Sequence, residues 1–142
     1  MTSVPNINTP QVENVRSGVA DDIREHLSVI LAETYMLTIR LNLYHWNVVG
    51  PLFKSIHDLT EDHYENLFAA TDKVAKRIRA LGHRASVKMQ EGKLNLMIAL
   101  HTGGMPYAQD MIKELVKRHG MIAADLCDVA TFAGGNVDVV TE

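Results

Sequence analysis

Between residues 41 and 67 the chain reads LNLYHWNVVGPLFKSIHDLTEDHYENL, a stretch holding His45, His57, His63, Trp46 and a group of carboxylates. His45 and His57 flank a Gly50-Pro51 break, and Glu61 follows His57 by four residues. On a helix that spacing puts His57 and Glu61 on one face. Imidazole nitrogen together with carboxylate oxygen suits iron or zinc better than magnesium or calcium. Asp72 lies eleven residues beyond Glu61. Eleven residues make about three helical turns, so the two acids share a face within roughly 20° but stand about 16 Å apart along the axis. Metal–ligand bonds of about 2.0 to 2.6 Å cannot span that gap within one chain. Two antiparallel copies of the helix, related by a two-fold axis near Leu67, would bring His57 and Glu61 of one copy to the region of Asp72 and Lys76 of the other. Symmetry would duplicate the site, with a separation of roughly 22 Å. The plainer alternative is a solvated His–Glu pair and an aspartate that is surface charge among lysines.

The elements that must position these residues are helices. A first helix is expected over about 17–47, with Ser17 as N-cap, early acids Asp21, Asp22 and Glu25, and a stripe of Val19, Ile23, Leu27, Ile30, Leu37, Leu41 and Tyr44. Gly50-Pro51 ends it. A second is expected over about 55–81. Ser55 and Asp58 resemble a capping box, Ile56, Leu59, Leu67, Ala70, Val74, Ile78 and Leu81 form its stripe, and Gly82 suits its C-terminal cap. LNLMIALH, residues 94–101, reads as a short helix in a long connection. A third long helix is expected over about 106–133, with Pro106 in its first turn, a stripe of Ile112, Leu115, Ile122, Leu126 and Val129, and a weak point at Gly120. Residues 1–16 read as an extended arm, with two prolines and no helical period. Helices of this length pack side by side, so the fold class is an all-α bundle in one domain, 17–142.

The 142 residues suffice for one core. A formal net charge of −3 gives no general pull towards nucleic acid or anionic membrane. No run of about 18 apolar residues would span a bilayer. The N-terminus has no basic start or apolar core of a signal peptide. The single cysteine, Cys127, cannot form an internal disulfide and reads as a small buried residue; a cytoplasmic location fits. Trp46 reads as a core anchor, and Tyr44 and Tyr64 as packing residues with one polar end. His26, His63, His83, His101 and His119 show no convergent spacing.

HWNVVGPLFKSIHDLTEDHYENL followed by DKVAKRIRALG resembles the Dps mini-ferritins, and the likeness runs from residue 6 to about 142. It is carried by His45-Trp46-Asn47-Val48, Gly50-Pro51, Phe53, His57, Glu61, Tyr64, Asp72 and Arg77 to Gly82. The resemblance implies a ferritin-like bundle with a short helix in the middle connection. It implies a dodecamer, a hollow shell built from two-fold dimers, with ferroxidase centres at the dimer interface. In that scheme His45 and His57 come from one subunit, Asp72 from its partner, and Glu61 lies nearby. The metal residues, which are also the catalytic ones, are therefore His45, His57, Glu61 and Asp72. The activity would be oxidation of Fe2+ by peroxide or oxygen, with storage of the Fe3+ mineral and protection against oxidative stress.

Two departures qualify this. Where the family has a glutamate four residues after the aspartate, this chain has Lys76, which offers no lone pair and brings positive charge towards a cation. The alternatives are a non-catalytic Dps-like shell, or a zinc-binding scaffold with an impaired ferroxidase site. The family's last long helix should begin where this sequence stops, at Glu142, so that helix is expected to be missing or truncated. Asp125, Asp128 and Asp138 read as surface acids or as the lining of an entry path. Family members that bind DNA do so with lysine-rich tails, whereas the arm here offers only Arg16, so DNA binding is expected to be weak or absent.

Overall fold

A computed structural model describes residues 10–87 and 107–136, with side chains from residue 17 onwards. Three α-helices account for nearly all of this: α1 (Pro10–Asn47), α2 (Phe53–Ala80) and α3 (Ala108–Gly135). There is no strand among the described residues. The expected short helix at 94–101 and the Pro106 start lie outside them.

The expected arm of 1–16 is too long, because residues 10–16 are the first two turns of α1. Proline at a helix's first position loses nothing, since its missing N–H would have no intrahelical partner there and its fixed φ is already helical. At the other end Val48 N–H donates to Tyr44 O at 2.9 Å. Gly50 then takes φ +96°, a left-handed conformation open to glycine at little cost, and Phe53 N–H closes the turn on Gly50 O at 3.0 Å. The reversal starts α2 at Phe53, two residues before the expected Ser55. The capping box is therefore not formed: Leu52 occupies the N-cap position without a side-chain bond, and Asp58 instead pairs with Lys54 at 2.6 Å. The expected cap at Gly82 is formed. Its φ is +88°, its N–H reaches Arg79 O, and His83 N–H reaches Ile78 O, the paired bonds of a Schellman ending.

Two apolar clusters fix the helix directions. Ile23, Leu27, Ile30 and Leu31 pack with Ile78, Val129 and Ala133. Leu37, Leu41, Tyr44 and Val48 pack with Ile56, Met111 and Leu115. The start of α1 thus meets the ends of α2 and α3, and its end meets their starts, so both run antiparallel to α1. Each fully buried Leu or Ile contributes about 1.5 to 3 kcal/mol. Buried hydroxyls within these clusters are satisfied by carbonyls one turn back, Thr38 on Thr34 O and Thr60 on Ile56 O.

Several residues expected inside are outside. Trp46 is 68% exposed, and Cys127 is exposed. Each lies two residues from a buried position, Trp46 from Tyr44 and Val48, and Cys127 from Val129. Two residues on a helix is about 200°, the opposite face. On α3, Leu115 and Val129 are buried as expected, while Ile112 and Leu126 are exposed.

Candidate metal centre

The Gly50-Pro51 reversal brings the last turn of α1 against the first turns of α2. His45 and His57 come face to face there, with ring centroids 3.7 Å apart and planes 22° from parallel. Each ring also bonds the other's backbone: Nδ1 of His45 lies 3.0 Å from His57 O, and Nδ1 of His57 lies 3.1 Å from His45 O. A carbonyl oxygen only accepts, so both Nδ1 atoms carry the hydrogen. In the neutral rings Nε2 then holds the lone pair. Each ring thus keeps one Nε2 acceptor, with the tautomer set by backbone carbonyls as it is in many metal-ligating histidines.

The rings have little freedom to turn. Phe53 stacks on His57 at 5.1 Å, and Tyr64 stands edge-on to His45 at 5.4 Å. His57 O also accepts from the hydroxyl of Thr60 at 3.0 Å. Glu61 is exposed one turn beyond His57. Its carboxylate acts on this aromatic wall: the Tyr64 phenol is raised above the ordinary tyrosine range, first by desolvation and then by the charges of Glu61 and Glu65.

Asp72 is not at this place. It is exposed on α2 and pairs with Lys76, Nζ to Oδ2, at 2.5 Å. Fifteen residues of rigid helix separate it from His57, about 22 Å. Among the described residues no three His, Cys, Asp or Glu side chains of one chain converge on a common point. One chain therefore brings together His45 and His57, keeps Glu61 nearby on the same helix, and leaves Asp72 remote.

Two polar groupings escaped the sequence reading. Glu114 on α3 accepts from Arg40 at 2.7 Å, from Arg118 at 2.9 Å and from Tyr44 at 2.8 Å. Burial alone would raise the Glu114 carboxyl, but the Tyr44 and Arg118 bonds and the Arg40 charge outweigh it and hold it below the usual range. Burial, helped by Glu114, raises the Tyr44 phenol against the opposing influence of Arg40. The signal available was Arg40 itself, a charge one turn from Tyr44 within the apolar stripe. The second grouping is His63 with His119, whose rings meet edge to face at 5.3 Å. They lie on different helices, so no spacing along the chain announces them. Burial, then the nearness of His63, makes His119 harder to protonate than an ordinary histidine.

The family model described as a ferritin-like domain matches residues 11–142. An uncharacterized low temperature-induced protein from Nostoc is 37% identical over 126 residues, 88% of this chain and 68% of that protein. A DNA protection during starvation protein from Helicobacter pylori is 28% identical over 84% of this chain and 81% of its own length. Among solved structures, a Dps protein from Vibrio cholerae, described as one of the ferritin-like diiron-carboxylate proteins, superposes with a TM-score of 0.76 at 25% identity. That match covers 88% of this chain and 78% of the other.

Proposed function

The chain belongs to the ferritin-like family, within its Dps group, and from this premise we propose that it is an iron-storing ferroxidase whose metal sites are completed between subunits. The observation that carries the reading is the reciprocal anchoring of the stacked His45 and His57, which leaves the lone pair of each neutral ring on its Nε2. Ferrous iron, the substrate, binds these nitrogens. Glu61 adds charge from the next turn, and Asp72 of a second copy closes the sphere. Every ferrous ion gives up one electron. Two electrons with two protons break the O–O bond of hydrogen peroxide to give two waters, and ferric ion passes to a mineral within a hollow dodecamer. The chain's part is to bind, hold orientation and supply compensating charge; the electrons are the iron's. Such a shell belongs in the cytoplasm and needs no membrane, and no described helix is long and apolar enough to cross one.

A second reading is favoured by the Lys76–Asp72 pair. A carboxylate already held by an ammonium is a poorer iron ligand. Zinc binds nitrogen sites more strongly than ferrous iron does, so the same residues would suit a zinc-binding scaffold or a non-catalytic shell.

The test compares ferrous oxidation by peroxide in wild type and His57→Ala, with light scattering on both. Assembled wild-type particles should oxidise iron, and the variant should assemble but lose the rate by at least about tenfold. A wild type that remains a solitary chain, or a variant as fast as wild type, would sink the proposal.

A further inference from the structure

His63 on α2 and His119 on α3 form a second imidazole pair that the reading above does not use. His63 Nδ1 and His119 Nε2 are both shut off from solvent, and neither has a hydrogen-bond partner. A ring nitrogen buried without a partner is costly, and here two such atoms are contributed by rings in contact across two helices. We propose that His63 and His119 bind a divalent transition-metal ion of the imidazole-preferring class, zinc or copper(II), at the junction of α2 and α3.

The ring separation suits it. A zinc–nitrogen bond is about 2.0 to 2.1 Å, which puts the metal about 3.2 Å from each ring centre. Two rings on a tetrahedral ion are then about 5.2 Å apart. The observed separation is 5.3 Å, with the planes 76° from parallel. One ion would satisfy both stranded nitrogens. No third His, Cys, Asp or Glu converges there among the described residues, so the chain supplies two ligands and the ion is held less firmly than in a four-ligand structural site.

The site is distinct from the His45–His57 pair. His63 is six residues beyond His57 and two beyond Glu61. Those offsets set it about 120° and 160° round the helix from them, on a different face, and about 9 Å further along the helix than His57. The metal's effect is to clamp α3 to α2.

Zinc(II) is titrated into metal-free, full-length His57→Ala, in which the stacked pair is lost. One zinc per chain should bind, with a rise in the thermal midpoint. Adding His119→Phe, apolar and ring-shaped, should weaken zinc at least about tenfold and abolish the rise. Equal zinc binding with and without His119, or no zinc bound to His57→Ala, would overturn the assignment. Should the double variant lose its helical circular dichroism, zinc-edge anomalous diffraction from soaked wild-type crystals decides. A peak bonded to both nitrogens upholds the site, and its absence there refutes it. Neither result depends on ferrous oxidation, so this site and the ferroxidase stand or fall separately.

Discussion

Lys76→Glu is the sharpest perturbation of the proposed iron site. Lys76 pairs with Asp72 across one turn of α2, and both side chains are mostly exposed, at 75% and 58%. An exposed pair of this spacing is worth only about 0.3 to 0.5 kcal/mol, so its loss barely changes stability. The charge on the incoming ion matters more. Two unit charges about 4 Å apart in water interact by about 1 kcal/mol, so an ammonium at that distance from a doubly charged ion costs about 2 kcal/mol. At about 1.4 kcal/mol per factor of ten, that is roughly a 30-fold loss of ferrous affinity. Replacing the lysine by glutamate removes this repulsion and adds a carboxylate ligand, so the gain should be at least of that order. The assay is the initial rate of ferrous oxidation by peroxide at sub-saturating iron, for wild type and variant, with particle size checked by light scattering. An increase of about 30-fold or more is expected. Equal rates in two equally assembled proteins would show that Lys76 does not face bound iron, and the electrostatic reasoning would be wrong.

The buried grouping around Glu114 makes a prediction about stability. Glu114→Gln should destabilise by about 2 to 3 kcal/mol in urea unfolding, less than the about 3 to 5 of a fully buried pair because Glu114 remains 31% exposed. The Glu114 carboxyl is held below its ordinary value in the folded chain, so its contribution is present above the unfolded value near pH 4.3 and disappears as pH falls through the folded one. Wild type should therefore lose more stability than Glu114→Gln on acidification below about pH 4; parallel pH curves would contradict this. With a formal charge of −3 per chain, no plasmid retardation is expected at about 150 mM salt, and a shift persisting at that salt would show a phosphate-binding surface not evident in the charge.

Much of this protein was legible along the chain because helices have a period. The stripe from Ile23 to Tyr44, the reversal at Gly50 and the ending at Gly82 followed from apolar spacing and backbone freedom at glycine, and all are present. Periodicity says less where a helix is only partly covered. Trp46 and Cys127 are apolar by type but lie on exposed faces, and α3 leaves Ile112 and Leu126 outside. The start of α1 was misplaced because a proline that breaks a helix interior is welcome in its first turn.

The sequence by itself determined that His57 and Glu61 share a face and that Asp72 is too far along a rigid helix to join them in one chain, since rise and twist per residue are constants. Only the tertiary structure decided how α1 and α2 meet at the turn. That meeting stacks His45 on His57 and lets each ring bond the other's carbonyl, which selects the tautomer. It likewise brought Arg40 to Glu114 and His63 to His119. These pairs join helices distant along the chain, and a period within one helix carries no information about which residue of another it will touch.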